Sequence, residues 1–235
     1  MQVAALVLGA GSGTRLRATL PAAPLKAWLR LAGQTLLGRS LDVLSAVPEI
    51  GLLLPVIPAE GFDSWPEVAN ELRQPGRVAP PVAGGAKRQD SVRAGLAALP
   101  AEISHVAIHD AARPLVRAEA VSRVVAVAGE VGAALLGCPA ADTIHRVRAG
   151  AVVETPLRSE CFAAQTPQVF RIDWLREALA KADADGFVAS DDGALVARLG
   201  VRVEVVAGDA DNLKITTASD LAIAEALLAA REPGR

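Results

Sequence analysis

The chain has 235 residues, 51% of them apolar and 21% charged, with a formal net charge of −2. This is an ordinary globular composition, long enough for one α/β domain over residues 1–235 with a core that needs no staples, and its near-neutral charge argues against a nucleic-acid or anionic-membrane partner. No run approaches ~18 apolar residues, the apolar start lacks a basic flank, and two cysteines, Cys138 and Cys161, are too few for a four-ligand metal site, so a cytoplasmic chain with no membrane span is expected.

Residues 3–8 form an apolar run that ends in glycines, the pattern of a buried first strand. Helical spacing follows through Leu36, Leu37, Leu41 and Leu44, then a strand at 52–57 and a weaker third strand at 77–79. A helix at 91–99, a strand at 105–109, a helix at 118–128 and a strand at 133–137 continue the alternation. Residues 143–155 place two β-prone stretches around a glycine turn, a hairpin that leaves the main sheet and forms an arm at about 140–160. Helices at 174–182 and 192–198, a strand at 202–206 and a helix at 218–229 complete the chain. The order implies an α/β fold with a mainly parallel twisted sheet covered by helices on both faces.

The first strand runs into Gly9-Ala10-Gly11-Ser12-Gly13-Thr14-Arg15, where glycines let backbone N–H groups approach phosphate oxygens. It is not a dinucleotide fingerprint, because Thr14 or Leu16 stands where the last glycine belongs and Leu54, Pro55 and Val56 offer no acid for a ribose. Nor is it a P-loop, since Thr14-Arg15-Leu16 replaces glycine-lysine-serine. Arg15 and Lys26 beside such a loop suit phosphoryl or nucleotidyl transfer, or are simply solvated loop charges. Of 24 basic residues only Lys26, Lys87, Lys181 and Lys214 are lysines, so each is worth locating.

Gly84-Gly85 precedes Lys87-Arg88-Gln89-Asp90-Ser91, a turn suited to close contact with a base, in which Asp90 or Ser91 caps the helix. The strand at 105–109 leads into Asp110-Ala111-Ala112-Arg113-Pro114, beyond the carboxyl end where α/β sheets collect ligands. Asp110 can meet a ribose hydroxyl or magnesium and Arg113 an anion, or the two can bridge each other.

These motifs, followed by Asp142-Thr143-Ile144, Gln165-Thr166-Pro167-Gln168-Val169-Phe170 and Asp211-Asn212-Leu213-Lys214-Ile215-Thr216, run in one order through almost the whole chain. The series resembles the 2-C-methyl-D-erythritol 4-phosphate cytidylyltransferases. The resemblance implies a Rossmann-like nucleotidyltransferase with a protruding β-hairpin arm, working as a homodimer with a shared active site. It further implies magnesium-dependent reaction of CTP with a sugar-alcohol phosphate in non-mevalonate isoprenoid synthesis. By the same resemblance Arg15 and Lys26 act at the triphosphate, and Gly9, Ala10, Gly11, Gly13, Gly85, Ser91 and Asp110 hold the nucleotide. Arg113, Thr143 and Lys214 would meet the sugar phosphate, with Arg158 and Thr166 reaching it from the other subunit; the metal's protein ligands are left open. The chain departs from the pattern in having Leu25 directly before Lys26, a longer stretch between Arg15 and Lys26, and Thr14 where arginine is frequent.

The chemistry needs no general base, because a phosphate monoester with a second pKa of ~6 is already largely dianionic at neutral pH. His105, His109 and His145 are accordingly expected to be structural. The competing readings are cytidylyl transfer to another polyol phosphate such as ribitol 5-phosphate, and a non-catalytic nucleotide-binding module.

Overall fold

A computed structural model describes residues 1–11, 13–20 and 23–231; Ser12 of the glycine motif lies outside the described residues. The chain runs β1 (Val3–Leu8), α1 (Thr14–Thr19), β2 (Arg30–Leu31), β3 (Gln34–Thr35), α2 (Leu36–Ser45), β4 (Ile50–Ile57), α3 (Trp65–Ala69), β5 (Val82–Ala83), α4 (Arg88–Ala98) and β6 (His105–Asp110). It continues with α5 (Ala118–Val131), β7 (Ala133–Pro139), β8 (Arg146–Arg148), β9 (Ala151–Glu154), β10 (Phe162–Arg171), α6 (Ile172–Ala184), α7 (Asp192–Ala197), β11 (Glu204–Ala207) and α8 (Ala218–Arg231).

Seven strands form one sheet in the order β11-β7-β10-β6-β1-β4-β5. β1 lies inside it, parallel to β4 on one side and to β6 on the other, with Leu8 in register with both Val56 and Asp110. Its side chains alternate between two cores: Val3, Ala5 and Val7 join Leu37, Leu41, Val121 and Val124 on the α2/α5 face, while Ala4 and Leu6 join Leu96, Leu175, Leu179 and Leu195 on the α4/α6/α7 face. Covering both faces is why this strand is apolar without interruption. A third cluster, built on Leu16, Leu31, Leu36, Ile215 and Ala224, ties α1 and α8 together beyond the sheet.

Two expectations need correction. Residues 77–79 are not a strand: Pro75–Arg77 is a 3-10 turn, Val78 makes one isolated bridge to Leu53, and the edge position belongs to β5. Pro75, Pro80 and Pro81 remove the backbone donors that a ladder at this point needs. The strand that the sequence hides is β10, antiparallel to both β6 and β7 between them. Pro167 is accommodated because the pairing with β7 shifts register between Ala164 and Gln168.

The expected hairpin is present as β8 and β9, a separate two-stranded sheet. Its tip, Ala149 and Gly150, has φ of 49° and 82°, the positive angles that a two-residue turn needs to match strand twist. Every residue from 141 to 155 is exposed.

Candidate active site

The carboxyl ends of β1, β4 and β6 open into a cavity of about 600 Å³. Its floor is backbone. Gly13 adopts φ 64°, and a Cβ there would stand 3.1 Å from Cβ of Lys26, so glycine both permits the turn and lets the lysine stem lie against it. On the opposite wall, a Cβ on Gly84 would run into that of Ala10, and one on Gly85 into that of Asp90. The Gly84-Gly85 turn therefore presents bare backbone to the cavity. Ser91 fixes it, accepting from Gly85 N–H at 3.1 Å and donating to the Lys87 carbonyl at 3.3 Å. The N-cap of α4 is Lys87 rather than Asp90 or Ser91; Asp90 closes the first turn by accepting from Lys87 N–H at 3.0 Å.

The cavity gathers Gly9, Ala10, Gly11, Gly13, Arg15, Lys26, Gly85, Ser91, Asp110 and Lys214. Three of the four lysines line it, Lys87 being the third. Burial, then Lys214 and, more weakly, Arg15 lower the Lys26 pKa to about 8, with Asp110 opposing. Leu25 between Pro24 and Lys26, and the longer stretch from Arg15, have thus not taken Lys26 out of reach of the other cations.

Asp110, only 8% exposed, lies among them. It accepts from Lys214 Nζ at 2.6 Å, and Arg88 Nε is 3.5 Å from its other oxygen. Burial alone would push its pKa up, but Arg88 and Lys214 outweigh this and hold it well below the usual carboxylate range. The bridge between Asp110 and Arg113 considered from sequence is not formed. Arg113 instead donates to the Asn212 carbonyl at 2.6 Å and the Ala164 carbonyl at 3.2 Å, and burial lowers its pKa. It joins β10 to the segment that carries Lys214.

Thr166 also has a different place from the one expected. Its hydroxyl is buried in the same chain, accepting from Asp110 N–H at 3.0 Å and lying 3.1 Å from His109 Nδ1. There it supports Asp110 from below, within its own chain. His109 is fully buried and its pKa falls to about 4, burial being the main cause, so the ring is neutral and structural. His145 bonds Thr155 across the hairpin at 2.9 Å, and His105 bonds Ser104 at 3.0 Å.

Thr143 and Arg158 are exposed on the arm, outside the cavity of their own chain; Arg158 Nη1 donates to the Ala141 carbonyl at 3.3 Å. Sequence reasoning missed Arg88, which lines the cavity and joins Asp110 to the buried Asp192. One signal was available: Asp191 and Asp192 stand together at a helix start, where one side chain suffices as a cap.

No group of three or more His, Cys, Asp or Glu among the described residues is arranged to enclose a metal ion. The cavity does present an ionised carboxylate, Asp110, beside the glycine loop. Magnesium, which needs only one or two carboxylates alongside substrate phosphates, fits that donor set.

Comparison with known proteins adds a family. The family described as 2-C-methyl-D-erythritol 4-phosphate cytidylyltransferase matches residues 3–230. Proteins of that name from Geobacter metallireducens and Geotalea uraniireducens are 39% and 41% identical, covering 99% and 97% of this chain and 100% and 97% of their own lengths. The crystal structure of 4-diphosphocytidyl-2C-methyl-D-erythritol synthase from Anaerococcus prevotii superposes with a TM-score of 0.85 at 27% identity, covering 97% of this chain and 96% of that one.

Proposed function

The chain belongs to the 2-C-methyl-D-erythritol 4-phosphate cytidylyltransferase family, and from that premise we propose how its residues divide the work. The enzyme transfers CMP from CTP to 2-C-methyl-D-erythritol 4-phosphate, releasing pyrophosphate, in non-mevalonate isoprenoid synthesis.

An oxygen of the acceptor's phosphate forms a bond to the α-phosphorus of CTP, and the bond from that phosphorus to the α–β bridging oxygen breaks. The electron pair leaves with pyrophosphate. No proton has to be removed from the attacking group, which agrees with a cavity whose nearest histidine is buried and neutral. The obstacle is charge: two like charges about 4 Å apart repel by ~4 kcal/mol at an effective dielectric near 20, and both reactants carry several. Arg15 and Lys26, which line the cavity, neutralise the triphosphate, and Lys214, which lines it too, receives the acceptor phosphate. Asp110 orients Lys214 by its 2.6 Å pair and offers its other edge to the ribose. Magnesium, bound chiefly through the triphosphate oxygens, would add further neutralisation of the leaving group.

The observation that carries this reading is the convergence of Lys26, Lys214 and Arg15 on one cavity floored by bare glycine backbone. The acceptor side is completed by Thr143 and Arg158 from the arm of a second copy. What supports this is an arm with exposed Val147 (56%), Val152 (57%) and Leu157 (67%), an apolar surface that a partner would cover. The setting is cytoplasmic, in keeping with two free cysteines; no helix among the described residues is long and apolar enough to cross a membrane.

The test is pyrophosphate release from CTP, ATP, GTP and UTP, each with and without 2-C-methyl-D-erythritol 4-phosphate or ribitol 5-phosphate. Release is expected from CTP with the methylerythritol acceptor and magnesium together. CTP binding without any acceptor-dependent release would instead indicate a non-catalytic module.

A further inference from the structure

Arg88 stands between two carboxylates with unequal hold on it. Its Nη1 donates to Asp192 Oδ2 at 2.6 Å, whereas its Nε is 3.5 Å from Asp110 Oδ1, too long for a strong hydrogen bond. Asp192 is wholly buried and its Oδ1 has no hydrogen-bond partner. An acid in that position is costly, and burial pushes its pKa up against the pull of Arg88.

The fold does not need the Asp192 side chain for its helix start. Asp191 caps α7 by accepting from Ala194 N–H at 2.9 Å. Gln168 of β10 locks the same turn, donating to Asp191 Oδ2 at 2.9 Å and accepting from Gly193 N–H at 2.9 Å. What the Asp192 carboxylate does touch is the guanidinium that reaches Asp110.

Arginine pairs with carboxylates by preference through two parallel bonds. Lys214 already occupies one oxygen of Asp110. A guanidinium free to close on the other would leave that carboxylate no edge for a substrate. We propose that Asp192 is a positioning residue for the nucleotide half of the cavity: by holding Arg88 at its far end, it limits the guanidinium to one long approach of 3.5 Å to Asp110 Oδ1, which the ribose of the nucleotide can displace. The inference rests on the reading of Asp110 as the ribose-side acid.

The experiment compares wild-type enzyme with Asp192→Asn, the double variant Arg88→Gln/Asp192→Asn, and Arg88→Lys. It records KM for CTP, KM for the acceptor, kcat and thermal midpoint. Asp192→Asn should raise KM for CTP roughly tenfold while kcat and KM for the acceptor stay within about twofold. Adding Arg88→Gln should bring KM for CTP back toward the wild-type value, because the fork that captures Asp110 is gone. A double variant no better than Asp192→Asn, or a lowered midpoint with unchanged KM for CTP, would overturn the proposal.

Arg88→Lys keeps the inference falsifiable should Asp192→Asn fail to fold. An ammonium held by the buried Asp192 cannot close on Asp110, so KM for CTP should stay within about threefold of wild type. A rise of about tenfold or more would mean that Arg88 itself binds the nucleotide, and would overturn the proposal. Wild-type enzyme without acceptor-dependent turnover would instead remove the functional reading beneath it.

Discussion

The cavity and the arm are built on opposite principles. Around the cavity, groups are held in place from within one chain: Gly13 against the Lys26 stem, Ser91 under the glycine turn, Thr166 under Asp110, Lys214 against its carboxylate. On the arm, β8 and β9 pair only with each other, and their valines face solvent. An isolated two-stranded hairpin is marginal in water, and covering these valines is what the proposed second copy would supply. The contrast is what the proposed division of labour requires: the nucleotide side held within one chain, and the acceptor side, beyond Lys214, completed by the arm of a second copy.

The largest expected effect breaks the cavity. Lys26→Ala should lower turnover by about 10²–10³-fold, the loss typical of removing one preorganised stabiliser of transition-state charge. Stability should hardly fall, because burial and neighbouring cations already disfavour the charged lysine in the folded state. Steady-state kinetics beside a thermal melt checks both; a large drop in midpoint with activity per folded molecule intact would remove Lys26 from the mechanism.

Breaking the arm should have a different signature. Val147→Asp with Val152→Asp should give a monomer by light scattering, with kcat/KM for the acceptor down by about 10²-fold and Kd for CTP within about threefold. Equal losses for both substrates would erase the distinction between the two halves.

A smaller effect is set by pH. Lys26 is the binding form when protonated, and its pKa in the free enzyme is about 8, so kcat/KM for CTP should fall as pH rises through that value. A bound triphosphate favours the charged form, so the same limb in kcat should lie higher. Lys26→Arg should remove it. The sign for stability is opposite: from about 8 up to the ordinary lysine value of 10.5 the unfolded chain holds the proton that the folded chain has lost, so stability rises with pH there. The smallest effect belongs to the arm's tip. Ala149→Gly relieves a left-handed alanine and should strengthen the hairpin by about 1 kcal/mol, read by slower amide exchange in β8 and β9 and no change in kcat.

How much of this was legible follows from the same contrast. β1 and β6 read clearly because they are covered on both faces, and the hairpin because its turn and flanks are local signals. β10 was hidden because the buried polar residues Gln165, Thr166 and Gln168 surround Pro167, and each is satisfied by partners far away in sequence. Arg88 and Asp192 stand 104 residues apart, and no local pattern announces such a pair. Lys26 and Lys214, which line the cavity, stood out because a scarce residue type fell inside recognisable motifs, whereas nothing local announced that Thr166 would be buried beneath Asp110 of its own chain.

The shared site can be tested by mixing Lys26→Ala enzyme with Arg158→Ala enzyme, each inactive alone, under conditions of confirmed subunit exchange. If Arg158 serves the partner's cavity, every mixed dimer has one site with both lesions and one with neither, and about a quarter of wild-type activity should return. If both residues serve the same chain's cavity, mixing will restore nothing.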